Sequence, residues 1–202
     1  MTVGQLFRWW PPVGLVLTVL LGIGVGTAST PLDDDFQRAG QDTWPYSGWL
    51  LFFTDPRTMF SMLVIAVGIT LWRKRWRLAV AMALCPMAAL LIERVVKPLF
   101  GRHKGGSLAY PSGHTTLMVT VVGMIVVAAG AVLWSRILAG IFVPLGMLGQ
   151  AMTYHYFTDT VGALMFGSGV VCLAAWAAGV LPAGPKAADL GGDGNRFTAA
   201  SG

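Results

Sequence analysis

The chain has 202 residues, 55% of them hydrophobic and 11% charged, where an ordinary soluble domain carries about 25% charge. So few charges cannot cover a water-facing surface, which excludes a disordered chain, a soluble nucleic-acid binder and a secreted disulfide scaffold. The net charge of +5 matters through its placement, and the two cysteines, Cys85 and Cys172, lie inside apolar runs as small hydrophobes rather than as a bridge.

Charge-free runs divide the chain at intervals of membrane length. The first extends from Trp9 to Leu32. Arg8 before it, its apolar core and the small residues Thr27-Ala28-Ser29 near its end also suit a cleaved signal peptide, but the run is long for such a segment and reads as an anchor helix. An acidic and then aromatic stretch follows from Pro31 to about Gly48, with Trp44, Tyr46 and Trp49 expected to settle as an interfacial belt. The second run is Thr58 to Trp72 and the third Leu78 to Ile92, with Pro86 inside it. Both fall short of the roughly 17 residues that a crossing needs, and Arg57, Arg73 and Arg94 reaching toward the interface extend them. The fourth run is Thr115 to Ser135, the fifth Ile137 to Tyr154 and the sixth Thr160 to Leu181. The expected fold is all-α: a polytopic six-helix transmembrane bundle over residues 1–182, followed by a disordered cytoplasmic tail over 183–202.

Orientation follows from the basic residues. With the amino terminus cytoplasmic, Arg8, the Arg73-Lys74-Arg75-Trp76-Arg77 cluster, Arg136, Lys186 and Arg196 all lie inside, eight of the 14 Lys and Arg. Both termini are then cytoplasmic, in a plasma (inner) membrane, and the remaining cations lie outside. The three histidines, His103, His114 and His155, fall on that outer edge beside Lys97, Arg102, Lys104 and Asp159. Ionisable groups at membrane passes are expensive and mark function.

Three local patterns carry chemistry. Lys97-Pro-Leu-Phe-Gly-Arg-His-Lys-Gly-Gly106 reads as a loop with four possible cations and a glycine-rich end, able to neutralise a phosphate; alone it is equally an ordinary basic loop drawn to lipid headgroups. Tyr110-Pro-Ser-Gly-His114 places a tight turn at the start of the fourth helix. The free N–H groups there, Ser112 and the positive dipole end form an anion site, and His114 stands where it could protonate a leaving oxygen. The plainer alternative is a helix cap with an interfacial histidine. His155-Tyr-Phe-Thr-Asp159 puts an imidazole and a carboxylate on one helical face. The carboxylate can fix the tautomer and leave the other ring nitrogen free as a nucleophile, or the pair can simply close a loop.

In this order the three patterns resemble the type 2 phosphatidic acid phosphatase (PAP2) superfamily, whose signature reads K-x6-R-P, then P-S-G-H, then S-R-x5-H-x3-D. The resemblance covers Lys97 to Asp159 by motif and the whole membrane domain by layout. It implies a lipid phosphatase, acting on a polyprenyl or phosphatidate-like phosphate or diphosphate at the outer membrane face, with no metal and no cofactor. His155 would attack phosphorus to form a phosphohistidine, Asp159 would orient it and His114 would protonate the departing oxygen. Lys97, Arg102, Lys104, Ser112 and the Gly113–His114 backbone would hold the phosphoryl oxygens. Two family arginines are absent: the Arg-Pro of the first motif is Lys104-Gly105, and the Ser-Arg of the third falls on Leu148-Gly149. Arg102 and Gln150 are the nearest candidates to compensate. The missing arginines motivate a second reading as a non-catalytic lipid-phosphate-binding or partner subunit, and a third reading is a zinc site from His103, His114, His155 and Asp159. A lipid phosphotransferase would share the same residues. The expected partners are the phosphorylated substrate and membrane lipids, with oligomers possible through glycine-rich helix faces and no nucleic acid.

Overall fold

The computed structural model describes residues 3–180, with side chains from Arg8 onward; the predicted tail, with Lys186 and Arg196, lies outside the described residues. The described chain is almost entirely helical: α1 (Val3–Val25), α2 (Pro31–Asp42), a 3-10 helix (Tyr46–Thr54), α3 (Pro56–Trp72), α4 (Trp76–Phe100), α5 (Gly113–Ala129), α6 (Leu133–Met152) and α7 (Phe157–Ala177). A two-residue antiparallel pair, β1 (His103–Lys104) and β2 (Ser107–Leu108), interrupts them between α4 and α5.

The boundaries have local causes. Thr30 caps α2, and Asp33 returns the bond to the cap backbone, with Pro31 at the first helical position. Asp55 caps α3 ahead of Pro56, its side chain accepting from the N–H groups of Arg57 and Thr58. At the other ends, Gly101 and Gly130 close α4 and α5 in the left-handed conformation, with φ of 59° and 77°.

Among the described residues, five helical stretches are long and apolar enough to cross a membrane: Arg8–Val25, Tyr46–Trp72, Trp76–Phe100, Leu133–Met152 and Phe157–Ala177. The chain is a multi-pass membrane protein by this measure. Two sequence expectations change. The second and third runs are not short, because the 3-10 helix runs into α3 and because α4 continues through Glu93, Arg94 and Lys97 to Phe100. Lys97 therefore stands on a helix and not in a loop. The short element is α5, with 17 residues, since Gly130 ends it before the charge-free run is used up.

Helix α5 tolerates its length because it is the centre of the bundle. It packs against α3, α4, α6 and α7, and residues as far apart as Thr115 and Ile125 are buried along it. A helix that is apolar all round belongs inside. Met118, Val121, Val122 and Met124 of α5 meet Met59 and Leu63 of α3, Met82 and Cys85 of α4, Met147 of α6 and Val171 of α7 in one core. Outward-facing Val64, Ile65, Leu84, Leu91 and Val95 are exposed, as a lipid-facing surface requires.

Helix α1 is a wall of this bundle. A Cβ on Gly14 would come within 2.8 Å of the Met165 carbonyl on α7, and Trp10 Nε1 donates to Ser168 Oγ at 2.8 Å. Small residues at such crossings let helix backbones approach in a membrane. Gly14→Ala should therefore weaken the α1–α7 contact and lower the unfolding temperature, by about 1–3 kcal/mol of stability. Gly68→Ala on α3, where a Cβ meets nothing within 4 Å, should show no loss in the same thermal unfolding measurement in detergent.

Candidate active site

The turn before α5 and the start of α7 are joined directly. Ser112 N–H donates to the Asp159 carbonyl at 3.2 Å, while the Ser112 hydroxyl accepts from Thr115 N–H at 3.4 Å. This brings the second and third sequence patterns together. The His114 and His155 rings lie 6.3 Å apart by centroid, inclined at 60°. His155 Nδ1 approaches Asp159 Oδ2 at 3.5 Å, somewhat longer than a hydrogen bond, and it has no closer partner. Nδ1 thus faces the carboxylate, and Nε2 is the nitrogen left for chemistry. Neither Gly113 nor His114 finds an acceptor for its N–H among the described residues, which leaves the open end of a helix dipole beside the two imidazoles.

Lys97 reaches this end from α4. Its ammonium pairs with Glu93 at 2.7 Å, one turn earlier on the same helix. Glu93 is buried, and a Cβ on Gly113 would come within 3.1 Å of both its carboxylate oxygens. A carboxylate therefore lies against the same helix terminus that the sequence marked for phosphate. Sequence reading missed Glu93 because it falls just past the third charge-free run, which ends at Ile92, although α4 continues through it.

Arg102 is fully buried and occupied. Its Nη1 donates to Asp159 Oδ1 at 3.0 Å and to Thr158 Oγ1 at 2.6 Å, and its Nη2 donates to Asp33 Oδ2 at 2.7 Å and to the Ala28 carbonyl at 2.9 Å. Its guanidinium also lies 4.4 Å over the Tyr156 ring. Asp33 completes the cluster by accepting from the Thr158 N–H at 2.9 Å and from its hydroxyl. Burial alone would raise the Asp33 carboxyl, but the N–H of Thr158, the N–H and hydroxyl of Thr30 and the Arg102 guanidinium outweigh it and hold it below the ordinary carboxylate range.

The stretch from Pro31 to Trp49 is thus more than an interfacial belt. Its aromatic half is exposed, with Trp49 at 80%, as a belt would be. Its acidic half is α2, seated on the loop that carries His155. Phe36 stacks on Phe157 at 4.4 Å, Gln37 donates to the carbonyls of Ala151 and His155, and Gly40 lies against the Met152 carbonyl. A helical pattern that puts Asp33, Phe36, Gln37 and Gly40 on one face was the available signal. Lys104 holds the same loop from the other side, donating to the carbonyls of Thr153 at 3.0 Å and His155 at 2.8 Å. Burial pulls its ammonium down to about 8, against the opposing pull of Asp159 and Asp33.

The altered third motif has a steric reason. A Cβ on Gly149 would stand 2.8 Å from the carbonyl carbon, the oxygen and the Cβ of Leu50, because the 3-10 helix lies directly on α6 at that point. An arginine has no room there. Gln150 does not stand in for one, since its Nε2 donates to Thr54 Oγ1 at 2.7 Å within the interior. The zinc alternative does not assemble: among the described residues no three His, Cys, Asp or Glu side chains gather as a metal site, and His103 is exposed with its ring turned to the Gly101 carbonyl.

Substitutions at two positions test this geometry. Gly149→Arg should give no cooperative unfolding and elute as aggregate in detergent, while Gly149→Ala should lose about 1–3 kcal/mol. Arg102→Met strands two buried carboxylates and should lose about 3–5 kcal/mol by chemical or thermal unfolding near neutral pH. Because the Asp33 carboxyl is held low, its contribution is present above the ordinary aspartate range and is lost as pH falls through its lower folded value. The gap between Arg102→Met and the parent chain should therefore narrow in acid.

No family model and no curated protein matches the chain. A solved structure does: the crystal structure of the transmembrane PAP2-type phosphatidylglycerolphosphate phosphatase from Bacillus subtilis superposes with a TM-score of 0.68 at 19% identity, covering 82% of this chain and 94% of that one. The resemblance carried by three short motifs thus extends over the bundle, and the fold of this chain is that of a PAP2-type membrane phosphatase.

Proposed function

We propose that the chain is a PAP2 lipid phosphatase that hydrolyses a polyprenyl or phosphatidate-like phosphate or diphosphate at the outer face of the plasma (inner) membrane. The observation that carries this reading is the meeting of His155, backed by Asp159 at 3.5 Å, with His114 across 6.3 Å at the open N-terminus of α5. The Bacillus subtilis structure with the same fold belongs to a phosphatase of a lipid phosphate, which supports the substrate class.

In this reading Nε2 of His155 attacks phosphorus, and the bond from phosphorus to the lipid oxygen breaks. His114 gives that oxygen its proton, so the lipid leaves as an alcohol, or as a monophosphate if a diphosphate is cut. Water then attacks the phosphohistidine, His114 takes a proton from it, and phosphate departs with His155 restored. The developing charge sits on the phosphoryl oxygens. We assign them to Lys97, Ser112 and the N–H groups of Gly113 and His114, donors already placed and needing little reorganisation. Arg102 and Lys104, which the motif alone would add to that set, are assigned to holding Asp159 and the His155 loop, because their donors are already engaged there.

Orientation of this end toward the outside rests on charge. Arg75 and Arg77 reach the carbonyls of Ala128 and Ala177 at the far ends of α5 and α7, so the basic cluster and the histidines occupy opposite ends of the bundle. The positive-inside tendency then puts the histidines outside and both termini in the cytoplasm, with six spans when α5 is counted. A second reading, a non-catalytic lipid-phosphate binder or partner subunit, is favoured by one observation: Glu93 already neutralises Lys97. A phosphotransferase would share the histidine chemistry.

Purified protein should release phosphate from phosphatidate or polyprenyl diphosphate. His155→Ala should reduce release to background, and His114→Ala should lower it by about 10²–10⁴-fold. A radiolabelled substrate should leave an acid-labile phosphoryl group on the parent chain and none on His155→Ala. Stabilisation by these lipids without any phosphate release would establish the second reading instead.

A further inference from the structure

We propose that Asp33, on the helix that precedes the 3-10 element, is a positioning residue for the nucleophile: through Arg102 it holds the Asp159 carboxylate so that His155 keeps its proton on Nδ1 and presents a bare Nε2. The inference rests on the phosphohistidine reading above.

The chain of contacts is continuous and buried from Asp33 to Asp159. Asp33 and Asp159 flank one guanidinium, and all three side chains are fully buried. Arg102 fixes Oδ1 of Asp159 at 3.0 Å. Oδ2 is left to accept from the Tyr156 N–H at 3.0 Å and to face His155 Nδ1. A carboxylate has two equivalent oxygens and a soft terminal torsion, so something must choose which oxygen faces the ring. Arg102 makes that choice. Arg102 would itself swing if bound to Asp159 alone, and Asp33 gives it a second anchor that is pinned by Thr30 and by Thr158 at the start of α7. The tautomer of a histidine is set by the partner of its other nitrogen. Here the carboxylate that Nδ1 faces at 3.5 Å is oriented from a segment more than a hundred residues earlier in the chain.

A buried carboxylate that only held α2 in place would affect stability and nothing else. The test is therefore imidazole ¹⁵N NMR on histidine-labelled full chain in detergent, with the His155 signals assigned by their loss in His155→Gln. The parent chain should show His155 as the Nδ1–H tautomer. Asp33→Asn should shift it toward a mixture of tautomers and lower kcat on a short-chain phosphatidate by about 10–100-fold, with KM within about twofold. Thr158→Val, which removes the hydroxyl between Arg102 and Asp33 but keeps the N–H, should move both readouts the same way by less, and it decides the matter if Asp33→Asn does not fold. Asp34→Asn, exposed on the same helix, should move neither. An unchanged tautomer in the folded variants, or a parent His155 that is not the Nδ1–H form, overturns the proposal. Absence of phosphate release by the parent chain would overturn the phosphatase reading, while the tautomer comparison would still decide the role of Asp33.

Discussion

One buried guanidinium organises the upper end of this bundle. Arg102 lies between two carboxylates from distant parts of the chain, and with Thr158 and the Ala28 carbonyl it ties together the end of α1, the start of α2, the hairpin and the start of α7. Burying such a group is unfavourable unless its charge and its donors are met. Four of its hydrogen bonds are, and only Nε lacks a partner. The reward is geometrical rather than energetic: four chain segments have to arrive at the same point in register for the cluster to form at all, and the turn that carries His155 is one of them.

Around this cluster the helices divide the labour. The central α5 contributes its terminus, α7 the carboxylate, and the loop between α6 and α7 the imidazole, while α4 supplies the remaining cation already paired to Glu93. Loop residues are the most mobile part of such a site. Here the His155 loop is held by Gln37 from above and by Lys104 from the side, both bonded to its backbone carbonyls. Its position is therefore fixed by main-chain contacts that leave the imidazole of His155 unengaged by them.

The architecture was legible in the sequence because a membrane interior penalises charge so heavily that charge-free runs nearly trace the helices. The ends were less legible. Nothing charged marks Gly130, so the central helix reads too long, and Glu93 to Lys97 carry charges inside α4, so that helix reads too short. That His114, His155 and Asp159 would lie together was visible because their spacing belongs to known motifs and their types do not belong in lipid. Asp33 was not. Its segment is acidic and near an interface, which describes a solvated surface as well as it describes an anchor, and only the fold brings it to Arg102. The same limit applied to Arg102, whose basic neighbours in sequence concealed that its own partners are carboxylates.

The contact between Leu50 and Gly149 bears on how this site could change. In the third motif an arginine and a close approach of the 3-10 helix are mutually exclusive, because the space for one is the backbone of the other. Placing an arginine at 149 would require residues 46–54 to move off α6, and with them the Thr54 hydroxyl that accepts from Gln150 Nε2. The glycine at 149 is thus held in place by its surroundings, and no single substitution there makes room for a longer side chain.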